Sequence, residues 1–136
     1  VIVETVQGDA GVRIANLCYM QDLRKRCDEV GALLILDEIQ AGIFSPTCAT
    51  AGCHAGATAS AGLDLSDADT SHAALVGMPS SQGTLLVAPT LPDDSYLVHK
   101  IEGNQAAGQR MPLGAAPLSQ PEIDAIRQWI TDGANR

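Results

Sequence analysis

The sequence predicts a mainly α-helical domain over residues 38–136, preceded by a short βαβ-like segment over residues 1–37. Two apolar runs flank a stretch with helical spacing in the first 36 residues, which is typical of a strand–helix–strand unit. All seven prolines lie after residue 45, where they separate short helical patterns. Aromatic residues make up only 3% of the chain. The core is therefore expected to consist of aliphatic side chains or to enclose a group that is not protein.

The first part reads as two buried strands joined by a helix. Residues 1–3 and residues 32–36 are short apolar runs, as expected for the strands of a parallel βαβ unit. Residues 17–30 place apolar side chains three and four positions apart, and Gly31 suits the end of that helix. A lone βαβ unit leaves its strands uncovered, so this part is interpreted as a slice of a larger α/β domain.

The second part reads as short helices separated by loops. Residues 37–44 are expected to form one or two helical turns. Ser66 or Asp67 is predicted to cap a helix that runs towards Val76, and Pro92 suits the first turn of another helix. The last helix carries the clearest signal, because Ser119 and Glu122 form a capping box ahead of apolar residues at helical spacing, up to Gly133.

The charge balance and the apolar runs exclude two classes of partner. Eight basic residues against sixteen acidic ones give a net charge of -8, which disfavours nucleic acid because binding requires cationic side chains at the phosphates. The longest apolar run, residues 32–36, is far shorter than the roughly 18 to 20 residues that cross a bilayer. No membrane span is predicted, and no signal peptide is visible in this chain.

Cys48, Cys53 and His54 form the most specific cluster of reactive residues. Two thiols can each add to a vinyl group of haem, and a His directly after the second Cys is held over the ring to bind iron. The common form of this signal has two residues between the cysteines, whereas this chain has four. A disulfide across the loop, part of a zinc site and a coincidence are the alternatives.

Met111 is the candidate for a second iron ligand, because a Met thioether opposite a His gives an electron-transfer type of haem. It lies in a loop-like stretch well after His54, and Met78 is the competing residue. The shortage of aromatic residues is consistent with a buried porphyrin that supplies apolar bulk.

The stretches IFSPTCATAGCHAG, DDSYLVHKIEG, QRMPLG and LSQPEIDAIRQWITDGA resemble the small c-type cytochrome domains of bacteria over residues 39–136. The resemblance implies a class I cytochrome c-like helical fold with haem c bound covalently to Cys48 and Cys53. It also implies that His54 and Met111 bind the iron. The function implied is one-electron transfer with a redox partner protein, without enzymatic turnover, in the periplasm or another extracytoplasmic site. The acidic charge favours a basic partner.

The stretches VIVETVQGDAGV and LRKRCDEVGALLILDEIQAG resemble the class III aminotransferases, which use pyridoxal phosphate and act on ornithine-type amines. The resemblance implies that Asp37 pairs with the pyridinium nitrogen of the cofactor and that Gln40 contacts its ring hydroxyl. Glu4, Gln7 and Gly8 match an earlier loop of that family.

The aminotransferase pattern is incomplete. The Schiff-base lysine of that family follows the Asp motif, but Lys25 and Lys100 are the only lysines here. Lys25 precedes the motif, and Lys100 lies in the stretch that resembles a cytochrome. Residues 1–37 are therefore expected to be a fragment without function. Two alternative functions stay open: a haem-free helical binding or scaffold module with a Cys48–Cys53 disulfide, and a truncated pyridoxal phosphate aminotransferase fragment without activity.

Overall fold

A computed structural model describes residues 2–3, 6–7, 13–14, 22, 25–26, 35–36 and 39–135. Asp37 of the predicted cofactor site lies outside these residues, as do Glu4 and Gly8 of the earlier loop and most of the predicted helix over residues 17–30. Three positions of that helix are described, and all three are helical: Asp22, Lys25 and Arg26.

Two pairs of short strands are formed in the first part of the chain. Strand β1 (Ile2–Val3) pairs in parallel with β4 (Ile35–Leu36), with Ile2 opposite Ile35. This pairing confirms the parallel arrangement predicted for the two apolar runs. Strands β2 (Val6–Gln7) and β3 (Arg13–Ile14) form an antiparallel pair that was not predicted. Each strand is two residues long, which is too short to show an alternating pattern.

A ten-residue π-helix, Ile39–Cys48, begins the helical part of the chain predicted over residues 38–136, which is called the helical unit below. It confirms that this stretch is helical, but it continues beyond the predicted turns over residues 37–44. The amide of Ala49 donates to the carbonyl of Phe44 at 2.7 Å, which is the five-residue spacing of this wider helix. Ile43 and Phe44 are its buried residues. Two single 3₁₀ turns follow, Gly56–Thr58 and Ser60–Gly62.

Helix α1 (Ala68–Leu75) begins at Asp67, whose side chain accepts a hydrogen bond from the amide of Thr70 at 2.9 Å. This contact confirms Asp67 as the cap and satisfies one of the free amides in the first turn. The carboxylate also accepts from the Thr70 hydroxyl, and these bonds lower the pKa of Asp67. Isolated β-bridges join Val76 to Val87 and Pro79 to Leu85 in the segment that follows.

Helix α2 (Tyr96–Glu102) comes directly after a 3₁₀ turn, Pro92–Asp94. The helix start predicted at Pro92 is therefore present as the turn, and the helix proper begins at Tyr96. Gly103 ends α2 with a φ of +85°, a left-handed conformation that favours glycine because it has no Cβ.

Helix α3 (Gln120–Thr131) has the capping box predicted from the sequence. The Glu122 carboxylate accepts from the backbone amide and the hydroxyl of Ser119, each at 2.7 Å. Near the middle of α3, Arg127 donates to Glu102 of α2 at 2.9 Å and also to Asp93 of the 3₁₀ turn. The two ion pairs fasten α3 to both preceding elements.

The core of the helical unit is built almost entirely from aliphatic side chains, as the composition predicts. Val87, Ile126 and Ile130 are fully buried at its centre. The π-helix contributes the one buried aromatic ring among the described residues, that of Phe44, which is 3% exposed. The other members come from the π-helix, α1, α2, α3 and the segments outside these helices: Ile43, Leu65, Leu75, Val98, Ile101, Leu118, Ile123 and Ala134.

Candidate functional site

The candidate site begins where the π-helix ends. Phe44 holds this helix to α3 through an edge-to-face contact with Trp129, with ring centroids 6.4 Å apart and planes at 85°. One turn later, Cys48 is half-buried and packs against the core. The packing of the helix therefore places the Cys48 thiol at the edge of the apolar core.

The loop over residues 48–54 is closed by its own backbone. The amide of His54 donates to the carbonyl of Cys48 at 3.1 Å, and the amide of Cys53 donates to the carbonyl of Thr50 at 2.9 Å. Gly52 has a φ of +82°, which lets the chain reverse between these two bonds. Cys48 and Cys53 consequently lie at the base of one closed turn, and both are free thiols.

His54 is fixed by the segment that follows it. Its Nδ1 lies 3.1 Å from the carbonyl oxygen of Leu63, and its own carbonyl accepts from the amide of Leu65 at 2.9 Å. When Nδ1 carries the proton, it donates to Leu63 and leaves Nε2 as an acceptor. The Asp64 carboxylate accepts from the amides of Gly56 and Ser66, so the segment folds back on itself. Hydrogen bonding by the Ser66 side chain first, and then by the Gly56 and Ser66 amides, lowers the pKa of Asp64.

The Cys48 thiol is kept in its neutral form. Burial first, and then the nearby Cys53 and Glu122, which disfavour a second negative charge, together raise its pKa to about 11. Because the thiolate is the nucleophile, Cys48 has little reactivity at neutral pH. The sequence did not indicate the proximity of Glu122, which depends on how α3 packs.

Met111 is held by α2. Its backbone amide donates to the carbonyl of Lys100 at 2.8 Å. The same loop is attached to α2 by three side chains: the Tyr96 hydroxyl donates to Ala107, Lys100 to Gln109 and Arg110 to the Ile101 carbonyl. Met111 is half-buried, whereas the competing Met78 is 45% exposed. None of these contacts tests Met111 as an iron ligand.

The other two histidines have structural contacts. His72 Nε2 lies 3.0 Å from the carbonyl of Ala134, and His99 Nδ1 lies 3.0 Å from the side-chain oxygen of Asn104. One nitrogen of each ring is therefore engaged within the helical unit. Within the described residues, no group of three or more His, Cys, Asp or Glu is arranged to hold a metal ion. No described helix combines the length and the apolarity that a bilayer crossing requires.

Gln40, which was predicted to contact the ring hydroxyl of the cofactor, is among the described residues of the aminotransferase-like motif. Its amide nitrogen donates to the carbonyl of Leu65 at 2.9 Å and to the hydroxyl of Ser45 at 3.1 Å. Both N–H donors are thus used inside the helical unit. Its amide oxygen is buried and has no hydrogen-bond partner. The side chain has no donor left for a cofactor oxygen, and its amide oxygen is the atom that remains as an acceptor.

The comparisons with known proteins concern the first part of the chain. The family profile described as aminotransferase class-III matches residues 1–62. The mitochondrial acetylornithine aminotransferase of Yarrowia lipolytica is 63% identical over 43 residues, which are 32% of this chain and 10% of that protein. The acetylornithine aminotransferase of Methanopyrus kandleri is 58% identical over 43 residues, 32% of this chain and 11% of that protein.

A third acetylornithine aminotransferase, that of Methanosarcina acetivorans, is 50% identical over 42 residues, 31% of this chain and 11% of that protein. The chain thus spans about a tenth of the length of the curated relatives that it matches. No solved structure matches the chain. Residues 1–43 are similar to class III aminotransferases, as their motifs predicted, and these matches give no support to the resemblance with cytochromes.

Two predictions are corrected by these findings. The prediction that the chain is not an enzyme is wrong with respect to its relatives, because residues 1–62 match a family of enzymes. The prediction of haem c is also wrong, because that family points to pyridoxal phosphate and its match extends over Cys48, Cys53 and His54. The class I cytochrome c-like fold and the ligand roles of Cys48, Cys53, His54 and Met111 stay predictions that no contact described here tests.

Proposed function

We propose that this chain joins a truncated class III aminotransferase segment to a haem-free helical unit, residues 38–136, that acts as a binding or scaffold module. In this module, Cys48 and Cys53 are the pair available for a disulfide. No step of amino-group transfer is assigned to the described residues.

The observation that carries the proposal is the position of Gln40. This residue belongs to the LDEIQAG motif of the aminotransferase resemblance, yet its side chain bridges the π-helix to Leu65, 25 residues further along the chain. Ile43 and Phe44, which follow it, are buried in the core of the helical unit. The end of the aminotransferase motif therefore serves as a structural part of the module.

The lysines support the same interpretation. Lys100 Nζ donates to the carbonyl of Gln109 at 2.6 Å and lies 5.8 Å from the centre of the Tyr96 ring. These contacts hold the loop that contains Met111, so this amine has a structural partner. Lys25 is an exposed helical residue that precedes the Asp37 motif. Neither lysine matches the position that the family uses for its cofactor.

Cofactor binding by the intact chain tests the proposal. The purified protein is titrated with pyridoxal phosphate, reduced with borohydride and mapped by peptide mass, with Asp37→Asn as the paired variant. We expect no saturable absorbance change and no lysine labelled above the level in unfolded protein. Stoichiometric labelling of one lysine that Asp37→Asn abolishes would overturn the proposal.

A second experiment addresses the role of Gln40. In Gln40→Ala, the Leu65 carbonyl loses its donor, so amide exchange should become faster in the π-helix and near Leu65. Gln82→Ala removes an exposed glutamine and serves as the control. Equal exchange in both variants would show that Gln40 does not fasten the module.

The charge of the module indicates the chemistry of its partner. Residues 38–136 contain ten acidic and four basic residues. We propose a basic protein as the partner, bound weakly and with strong dependence on salt. Binding of a lysine-rich peptide should weaken steeply as ionic strength rises, whereas a glutamate-rich peptide of equal length should not bind. Salt-independent binding of both peptides would contradict this assignment.

A further inference from the structure

The Cys48–Cys53 pair is the reactive group that the aminotransferase comparisons leave without a role. Both residues are free, half-buried thiols. The hydrogen bond from the His54 amide to the Cys48 carbonyl joins the two ends of their loop at 3.1 Å. Since four residues separate the cysteines and the loop is already closed, bond formation between them requires little further loss of chain entropy.

The two thiols differ in their surroundings. Cys48 packs against the apolar core at the end of the π-helix, whereas Cys53 is not among the side chains that pack there. Cys53 precedes His54 in the turn, and its carbonyl accepts from the amide of Ser60 at 2.8 Å. An external reagent therefore has a more open approach to Cys53 than to Cys48.

We propose that Cys48 and Cys53 form an oxidation site that reacts with a small-molecule disulfide and closes as an intramolecular disulfide, with Cys53 reacting first. This inference rests on the proposed haem-free state of the module, because the reaction requires both sulfurs to be thiols. It adds to that proposal the order of attack and the chemical class of the oxidant.

The reaction proceeds in two balanced exchanges. The Cys53 thiolate attacks one sulfur of the external disulfide, forms a mixed disulfide and releases one thiolate, which takes up a proton. The Cys48 thiol then loses its proton and attacks the Cys53 sulfur, which releases the second external thiol. Overall, two protein thiols are oxidised to one disulfide, and one external disulfide is reduced to two thiols.

The environment of Cys48 makes the second exchange the slower one. Cys48 packs against the apolar core at the end of the π-helix, so its sulfur has to leave that packing before it can attack the mixed disulfide at Cys53. The mixed disulfide at Cys53 should thus accumulate briefly before the ring closes.

The test uses the whole chain in a Cys18→Ser, Cys27→Ser background and oxidised glutathione as the probe. Samples are quenched with acid, alkylated and mapped by mass. We expect a transient glutathione adduct on Cys53, followed by loss of both free thiols in a Cys48–Cys53 bond. With Cys48→Ser, the adduct on Cys53 should form at the same rate and persist. With Cys53→Ser, the adduct on Cys48 should form at least tenfold more slowly.

Equal rates in the two serine variants would overturn the order of attack. Free thiols that never close, although the adduct forms, would overturn the intramolecular disulfide. A covalent adduct already present on both sulfurs in the intact mass of the isolated protein would instead overturn the proposed haem-free function. The first two results are read from the peptide maps and the third from the intact mass, so they are distinguishable.

Discussion

At the scale of single residues, Cys48 shows how packing determines reactivity. Its thiol lies at the end of the π-helix against the core, and the pKa is raised to about 11 by burial first, and then by Cys53 and Glu122. The unfolded chain lacks these surroundings, so its thiol ionises at lower pH. The difference makes the free energy of unfolding depend on pH in the alkaline range.

This dependence has a definite sign. Below about pH 8, under the ordinary thiol pKa of 9.0, Cys48 is protonated in both states and contributes almost no slope. Between pH 9 and about 11 the unfolded state releases the proton first, so the reduced protein should lose stability, by up to about 2 kcal/mol. Urea unfolding at pH 8, 9 and 10 measures the loss. Cys48→Ser should lose less stability over this range, and an identical loss in both proteins would contradict the assignment.

At the scale of elements, the caps are where local sequence and structure agree. Ser119 and Glu122 form their box with contacts at 2.7 Å, and Asp67 caps α1 through Thr70. Each signal lies within four consecutive residues, so no tertiary contact is needed to predict it. The π-helix has no such local signal at its end. Its packing includes the Phe44–Trp129 contact, which joins residues far apart in the chain. The sequence therefore predicted a helix near residue 40 but placed its end too early.

The capping box of α3 can be tested by one substitution. Ser119→Ala removes the hydroxyl that donates to Glu122, and it should reduce the free energy of unfolding by about 1 kcal/mol. Thr58→Ala, at an exposed residue of a separate 3₁₀ turn, is the matched control and should change stability little. Urea denaturation of both variants makes the comparison. A loss in the control as large as in Ser119→Ala would show that the effect is not due to the cap.

The candidate site also combines local features that the sequence predicts with long-range contacts that it does not. The spacing of Cys48, Cys53 and His54 indicated a cluster, because residues so close in sequence are also close in space. The long-range contacts of this cluster could not be predicted from the spacing of the three residues in the sequence. Leu63 meets His54 only after the chain has reversed through two 3₁₀ turns. The haem assignment combined this local pattern with Met111, the shortage of aromatic residues and the resemblance to cytochromes, and the matches to aminotransferases contradict it.

At the scale of the whole molecule, the attachment of the π-helix to the core decides where the aminotransferase-like motif belongs. Ile43 is 5% exposed and lies three residues after Gln40. Ile43→Ala should destabilise the helical unit by about 2 to 4 kcal/mol, because it leaves a cavity in a shared core. Leu113→Ala, at a 57% exposed leucine, is the control. Equal stability of the two variants in urea would indicate that the π-helix does not belong to this core.

The closure of the loop between Cys48 and Cys53 should also be measurable in the stability of the whole molecule. A disulfide across so short a loop restricts the unfolded chain by about 2 kcal/mol in the entropic model. For a unit of this size, that gain corresponds to a rise of about 10 °C in the unfolding midpoint. The comparison is between glutathione-oxidised and fully reduced protein at pH 7, where the Cys48 thiol is neutral in the folded and the unfolded state. The Cys48→Ser, Cys53→Ser double variant should show no difference between the same two treatments. If the oxidised protein carries the mapped bond and still unfolds at the reduced midpoint, the folded loop is strained by the bond, and the geometry inferred for the pair is wrong.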